Sequence, residues 1–198
     1  SQLSNAGDQI VAQVGRIPIV AVRTQDGLLK AFHNVCRHRA GPVAVEDNNS
    51  KVLRCKYHGW TYTLDGNLRS APEMESTPNF DVCQYHLPHA KITTWQGFVF
   101  VSIEDKVVDI ENVFESIKET IEPIDLKVME YHHTDEYTIN CNWKVYMDNY
   151  LEGYHLPHVH PGLSKILDYR SYQTECAEWY SYQHSPITND NENNIYAD

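Results

Sequence analysis

Two short segments constrain this chain more than any other feature, because each places a cysteine close to a histidine. Cys36 precedes His38 by two positions, and Cys55 precedes His58 by three. Thiolates and imidazoles are strong metal ligands. The pattern therefore predicts one metal centre held between two loops, with a cysteine and a histidine supplied by each loop.

A [2Fe–2S] cluster and a zinc ion are the two centres that such a ligand set can hold. Zinc fingers and ribbons usually group cysteine with cysteine and histidine with histidine, whereas each segment here carries one of each. In the mixed-ligand cluster, one iron takes both cysteines and the other takes both histidines. We therefore predict a [2Fe–2S] cluster on Cys36, His38, Cys55 and His58, with zinc as the alternative.

A second group of candidate site residues lies on a predicted helix that spans residues 142–155 and ends before Pro157. Asn149, Glu152 and His155 are three residues apart and therefore share one helix face. Glu152 is a candidate metal ligand or, alternatively, a carboxylate that hydrogen-bonds the His155 imidazole, orients the ring and raises its basicity. Histidines near a helix end can instead cap the last carbonyl groups, and this is the alternative.

His155 and His160 are the candidate ligands of a mononuclear metal. On an unbroken helix, positions five residues apart point in different directions, but Pro157 lets His160 turn back. Two imidazoles and one carboxylate form the triad that holds non-haem Fe(II) and leaves positions open for O₂. His158 competes with His160 for this role. The candidate carboxylates within the sequence are Asp168, Glu175 and Glu178.

Short strands with turn signals fill the first half of the sequence, in the pattern of an antiparallel β-domain. Asp-Gly pairs at 26–27 and 65–66 predict two hairpins. The predicted strands cover residues 9–14, 17–23, 51–55, 60–64 and 97–103. This arrangement places the four cluster ligands at loop tips, where a β-scaffold commonly presents functional residues.

The pattern changes after this half, and we predict two domains, 1–106 and 107–198. Apolar residues recur at helical spacing between Asp109, the predicted N-cap, and Pro123, which closes the helix. The further predictions are a strand over 127–141, a strand over 174–183 and a polar tail from Thr188.

Composition excludes several classes of function. The net charge of −11 repels phosphate backbones, so we expect no nucleic-acid partner. The sequence has no run of 18 apolar residues, and we expect no membrane span. The first residues lack the basic and apolar regions of a signal peptide. Cys83, Cys141 and Cys176 are scattered, which is typical of free thiols in a reducing cytoplasm.

Together these residues resemble the catalytic α-subunits of Rieske non-haem iron oxygenases. Residues 34–39 and 55–60 are similar to the cluster loops of that family, and residues 142–155 with His160-Pro161 are similar to its mononuclear iron segment. The resemblance implies an α+β fold. In that fold, an antiparallel all-β Rieske [2Fe–2S] domain precedes the start of a helix-grip (START-like) catalytic domain.

The resemblance also implies an assembly and an electron path. The chain would form a homotrimer or an α₃-based assembly, in which the cluster of one subunit faces the iron of the next. His58 would meet Glu152 of the neighbouring subunit, and Glu152 would meet His155, with Asn149 beside them in the catalytic site. An NAD(P)H-dependent reductase or a ferredoxin would supply electrons, and a small-molecule substrate and O₂ would react at the iron.

The implied function is oxygenation of a small organic substrate. The spacing of Asn149, Glu152 and His155 is similar to that of family members that act on quaternary ammonium or N-methyl compounds. Aromatic ring dioxygenation is the alternative, and a Rieske ferredoxin-like electron carrier without catalysis is the alternative from a different class. The third iron ligand of the family, a carboxylate, is expected beyond residue 198, so we expect this sequence to be part of a longer protein.

Overall fold

The computed structural model describes residues 2–104 and 106–187. The chain divides into two compact units, Ser1–His133 and Thr134–Asp198. The predicted domain boundary at residues 106 and 107 stays a prediction, and the predicted polar tail from Thr188 lies outside the described residues.

The first unit is built on two antiparallel sheets. A six-stranded sheet has the order β4-β1-β2-β3-β8-β9, and a three-stranded sheet has the order β5-β6-β7. The strands are β1 Asp8–Val14, β2 Ile17–Arg23, β3 Leu29–His33, β4 Asn48–Asn49, β5 Val52–Arg54, β6 Thr61–Thr63, β7 Leu68–Ser70, β8 His89–Trp95 and β9 Phe98–Ser102. All five predicted strands are present, and both Asp-Gly pairs form the predicted hairpin turns.

One hydrophobic core joins the two sheets of this unit. Val22 and Phe32 come from the larger sheet and Leu53 and Tyr62 from the smaller one, and all four are fully buried. Burial of side chains of this size contributes about 1.5–3 kcal/mol each. The same core includes both predicted cluster cysteines, so packing of the two sheets also positions the metal site.

A matched pair of glycines tests how closely this core is packed. Gly27 and Gly66 each follow an aspartate in a hairpin, and each has a φ of +84°. A Cβ at Gly66 would lie 2.4 Å from Cε1 of Phe32, whereas a Cβ at Gly27 would meet no atom within 4 Å. The two positions therefore share a backbone requirement and differ in packing.

We expect Gly66→Ala to reduce the free energy of unfolding by about 3 kcal/mol, because overpacking adds to the strain of a positive φ. Gly27→Ala should cost only about 1 kcal/mol, the conformational part. Urea denaturation of both variants measures the difference. Equal reductions in the free energy of unfolding for the two variants would show that a Cβ at position 66 does not clash with Phe32.

A helix follows the first sheet and packs on its last hairpin. The helix α1 spans Ile110–Ile121, and the predicted N-cap Asp109 accepts a hydrogen bond from the amide of Glu111 at 3.1 Å. Phe114 of this helix stacks against Trp95 with ring centroids 4.7 Å apart. The predicted start and end of this helix are confirmed.

The second unit is formed by short helices and one hairpin. Its elements are α2 Trp143–Tyr150, α3 Leu156–Val159, α4 Leu163–Ile166, a 3₁₀ helix Tyr169–Ser171, β10 Gln173–Cys176 and β11 Ser181–His184. The single strand predicted over 174–183 is therefore wrong, because the chain reverses within it and forms the antiparallel pair β10-β11. Among the described residues, no helix is both long and apolar enough to cross a membrane.

The strand predicted over 127–141 is also wrong. The segment begins in the 3₁₀ helix Leu126–Val128 and then takes no helical or strand conformation as far as Ile139. Its β-forming residues are exposed, and Tyr137 keeps 83% of its surface in solvent. Aromatic and β-branched residues favour a strand mainly when they pack on a half-buried sheet, so local propensity alone misled the prediction.

The helix predicted over 142–155 is shorter than expected. Asn142 is its N-cap, but α2 ends at Tyr150, and residues 151–155 form a turn. The carboxylate of Glu152 accepts hydrogen bonds from the amides of Tyr154 and His155, which competes with continued helix. Pro157 lies in the first turn of α3, where its missing N–H costs nothing, so it starts a helix and does not end one.

Candidate metal centres

The two cysteine loops have the same backbone geometry. One joins β3 to β4 and carries Cys36, and the other joins β5 to β6 and carries Cys55. In each loop the cysteine amide donates to the carbonyl five residues on, and the amide four residues on donates to the cysteine carbonyl, with N···O distances of 2.7–3.0 Å. The fourth residue after the cysteine has a positive φ in both loops, 58° at Ala40 and 74° at Gly59. Two equivalent turns thus present the two ligand pairs.

The cysteine sulfurs lie on the buried side of the site. Cys36 and Cys55 are each 3% exposed, and neither is in a disulfide. A Cβ at Gly41 would lie 3.2 Å from the Cys55 sulfur, so a glycine lets the first loop approach the second. Burial raises the pKa of the Cys36 thiol, and the neighbouring Cys55 raises it further. Two buried sulfurs of this kind become thiolates together when a cation balances their charge, and they fit a metal cluster.

Tyr62 is a site residue that the ligand spacing did not reveal. Its hydroxyl oxygen accepts a hydrogen bond from the amide of Arg37 at 3.0 Å and lies 3.3 Å from the Cys36 sulfur. Burial raises the pKa of Tyr62, so the hydroxyl keeps its proton and can donate a hydrogen bond to a Cys36 thiolate. A donor aimed at a thiolate stabilises negative charge on the metal centre.

We expect Tyr62→Phe to keep the cluster bound and to lower its reduction potential by roughly 60 mV, the one-electron equivalent of about 1.4 kcal/mol for a lost hydrogen bond to a charged acceptor. A potentiometric titration followed by EPR measures this shift. Tyr85→Phe, which removes a hydroxyl from another aromatic side chain of the same core, is the control. An unchanged potential in Tyr62→Phe would exclude the bond to Cys36.

The predicted histidine ligands lie on the exposed side of the site. The rings of His38 and His58 have centroids 4.6 Å apart. His38 also stacks on Trp60, with centroids 4.9 Å apart and planes 9° apart, and Trp60 is buried against Phe80 and Tyr85. Desolvation lowers the pKa of His38 and favours the neutral imidazole, which is the form that binds metal.

The arrangement favours the cluster over zinc. The two cysteines are neighbours on the buried side of the site, whereas the two histidine rings lie together on its exposed side. A zinc site needs four ligands around one ion, whereas a mixed-ligand cluster takes a cysteine pair on one iron and a histidine pair on the other.

The predicted mononuclear ligands flank one turn of helix. His155 is the N-cap of α3 and His160 is its C-cap, and their ring centroids are 5.2 Å apart. A short helix therefore brings together two imidazoles that a longer helix would separate. His158 lies on the exposed surface of the same turn. The role of His155 and His160 as iron ligands stays a prediction.

Glu152 and Asn149 both lie against the Nδ1 atom of His155. The Glu152 carboxylate accepts from this nitrogen at 2.5 Å, and the Asn149 amide nitrogen lies 3.3 Å from it. The hydrogen bond to His155 lowers the pKa of the Glu152 carboxyl, so the group stays ionised at neutral pH. A carboxylate on Nδ1 fixes the proton there and leaves Nε2 free to bind a metal.

The other candidate carboxylates are engaged elsewhere or exposed. Asp168 accepts from the Ser171 hydroxyl at 2.6 Å, and this bond lowers its pKa. Glu175 lies 3.2 Å from Nε2 of His184, and Glu178 is on the surface. None of the three forms a metal-binding group with the two imidazoles among the described residues, and the carboxylate ligand expected beyond residue 198 stays a prediction.

Two known domain families match this chain. Residues 1–81 match the family described as Rieske [2Fe-2S] domain, and residues 126–193 match the family described as ring hydroxylating alpha subunit (catalytic domain). The chain belongs to the Rieske non-haem iron oxygenases. The predicted α+β fold class is confirmed, and the cofactors of these two domains are a [2Fe–2S] cluster and a mononuclear Fe(II).

Several Rieske monooxygenases are similar to the chain over most of its length. Choline monooxygenase of Arabidopsis thaliana is 34% identical over 194 residues, which cover 92% of this chain and 46% of that protein. The carnitine monooxygenase oxygenase subunit of Escherichia coli is 33% identical over 90% of this chain and 49% of that subunit. The chain thus spans about half the length of these relatives.

Solved structures agree with the sequence relatives. A quaternary ammonium Rieske monooxygenase, described for carnitine oxidation and inter-subunit electron transfer, superposes with a TM-score of 0.83 at 28% identity. The match covers 92% of this Rieske chain and 51% of the solved one. Both units of the chain therefore have counterparts in one known oxygenase.

Proposed function

We propose that the chain is part of the terminal oxygenase component of a Rieske system, an NAD(P)H-dependent enzyme that oxygenates a small organic substrate. The observation that carries this proposal is the joint presence of two sites. Cys36, His38, Cys55 and His58 meet in the first unit, and His155, His160 and Glu152 meet in the second. When bound, the cluster supplies single electrons, and the mononuclear iron supplies open positions for O₂.

The cluster loops present their histidines outwards. His38 and His58 are exposed, whereas both cysteines are buried. Electrons would therefore leave through the imidazoles, and a partner group at the exit must contact an imidazole. The Trp60 ring stacks on His38 and keeps it in place. The rings of Tyr57 and His58 also lie together, with their centroids 3.9 Å apart.

Glu152 is suited to contact such an imidazole, because it also contacts His155 of its own subunit. It is ionised, it accepts a hydrogen bond from Nδ1 of His155, and its side chain is 42% exposed. We propose that His58 of one subunit donates to Glu152 of the next, within a homotrimer or an α₃-based assembly. The inter-subunit electron transfer described for the carnitine-oxidising relative supports this arrangement.

We propose a quaternary ammonium or N-methyl compound as the substrate. The relatives that match most of the chain are named for choline and carnitine, and the spacing of Asn149, Glu152 and His155 is similar to that of family members that act on this class. Monooxygenation consumes one O₂, two electrons and two protons, inserts one oxygen atom into a C–H bond of the substrate and releases the other as water. Aromatic ring hydroxylation is the second candidate, since the catalytic-domain family carries that name.

Substrate-dependent O₂ uptake by the complete protein tests this choice. With a reductase and NADH present, we expect uptake to rise with choline, carnitine or glycine betaine, in proportion to the hydroxylated product. Uptake with indole or naphthalene alone would select the ring-hydroxylating alternative. NADH oxidation without any oxygenated product, at full iron content, would favour the electron carrier.

A reductase or ferredoxin and a reducing compartment complete the proposal. Cys83, Cys141 and Cys176 are exposed free thiols, which persist where thiols are kept reduced. We propose the cytoplasm as that compartment.

A further inference from the structure

The turn at residues 151–155 decides how Glu152 and His155 meet. It lies between the end of α2 at Tyr150 and the start of α3 at Leu156. Within the turn, the Glu152 carboxylate accepts hydrogen bonds from the amides of Tyr154 and His155 and from the His155 ring. These bonds fix the turn internally, and contacts from outside must fix where it lies relative to α2.

The first outside contact is a steric one between Tyr172 and Gly153. Gly153 is buried, and a Cβ added there would lie 2.4 Å from Cε1 and 2.5 Å from Cζ of Tyr172. The aromatic ring therefore packs directly on the backbone of the turn. No side chain larger than that of glycine fits between them unless the ring or the turn moves.

The second outside contact is a pair of hydrogen bonds through Gln183. The Tyr172 hydroxyl donates to Oε1 of Gln183, and Nε2 of Gln183 donates to the carbonyl of Tyr150 at 2.9 Å. Tyr150 is the last residue of α2, so its carbonyl is one of the four that lack a partner within the helix. One glutamine thus joins the end of the helix to the tyrosine that supports the turn.

Both side chains project from a well-tied part of the unit. Gln183 is in β11 and pairs with Thr174 of β10. The Ser185 hydroxyl donates to the carbonyl of Asp168 at 2.7 Å, and the Asp168 amide donates to the carbonyl of Pro186 at 2.9 Å. Hydrogen bonds therefore join the hairpin to the segment before Tyr172.

We propose that Tyr172 and Gln183 are positioning residues, which hold the 151–155 turn so that Glu152 meets His155. Burial and the nearby Glu152 charge raise the pKa of Tyr172, so its hydroxyl stays a donor. The positioning can be measured without turnover. Its effect on electron transfer rests on the proposed function.

Amide exchange tests the positioning directly. The amides of Tyr154 and His155 donate to Glu152, and in Tyr172→Phe of the complete protein we expect them to exchange about tenfold faster. This variant keeps the ring on Gly153 and loses only the hydroxyl. Tyr169→Phe, with a ring 6.2 Å from Tyr172, is the matched control. Equal exchange in both variants would overturn the proposal. If Tyr172→Phe fails to fold, Gln183→Met, which removes the hydrogen bonds of Gln183 to Tyr172 and to Tyr150, tests the same connection.

A double-mutant cycle separates positioning from a general structural role. Single-turnover oxidation of the reduced cluster should slow about tenfold in Tyr172→Phe, and Tyr172→Phe should have no further effect in the Glu152→Gln background. Multiplied effects would overturn the positioning role. If Glu152→Gln alone leaves the rate unchanged, the proposed electron path fails, and amide exchange alone decides the positioning.

Discussion

Glu152→Gln is expected to slow electron transfer from the cluster to the mononuclear iron about 100-fold, while both metals stay bound. The carboxylate accepts three hydrogen bonds, one from the His155 ring and one each from the amides of Tyr154 and His155. A glutamine side chain must turn its own NH₂ group towards one of these donors. It also lacks the negative charge that would receive a proton donor from a neighbouring subunit.

Stopped-flow oxidation of the reduced cluster in a single turnover measures this rate. Glu175→Gln is the matched control, since Glu175 forms another carboxylate–imidazole contact in the same unit, 3.2 Å from His184. Glu175→Gln should behave like the unaltered protein. A normal rate in Glu152→Gln, with iron content unchanged, would remove Glu152 from the electron path.

His155→Ala is expected to abolish oxygenation and to leave the visible spectrum of the cluster intact. The His155 ring lies next to His160 and makes the ring contact with Glu152, so its loss would remove a proposed iron ligand and the proposed partner of Glu152 together. The four predicted cluster ligands belong to the other unit. The change at position 155 leaves the two buried cysteines and the hydrogen bonds of both loops intact.

Product formation, iron content and the visible spectrum should be measured together for this variant. His158→Ala is the control, because His158 is exposed on the same short helix and makes no ring contact with His155 that the structure records. Loss of the cluster colour in His155→Ala would show that the two sites are wrongly assigned. Equal loss of activity in His158→Ala would reopen the choice between His158 and His160.

The sequence predicted that Cys36, His38, Cys55 and His58 come together, because the signals for this are local. Cysteine and histidine two or three positions apart must lie on one turn, and Asp-Gly pairs require the positive φ that Gly27 and Gly66 adopt. Tyr62 and Trp60 are different. Their contacts with Cys36 and His38 depend on how two strands and two loops pack, and no spacing rule relates such residues.

The sequence also predicted that Asn149, Glu152 and His155 come together, but the long helix on which this prediction relied is absent. Asn149, Glu152 and His155 do come together, but only Asn149 lies on α2. The carboxylate of Glu152 ends the helix by capturing the next amides, a competition that helical periodicity does not register. Tyr172 and Gln183 are more than 15 residues further along, and only the fold brings them to the turn.

The most direct test of the account is the metal and sulfide content of the complete protein after anaerobic reconstitution, with an EPR spectrum of the reduced form. We expect three irons and two acid-labile sulfides per chain, a red-brown colour and a Rieske-type EPR signal. A colourless protein that holds zinc, or a spectrum without the cluster signal, would contradict it.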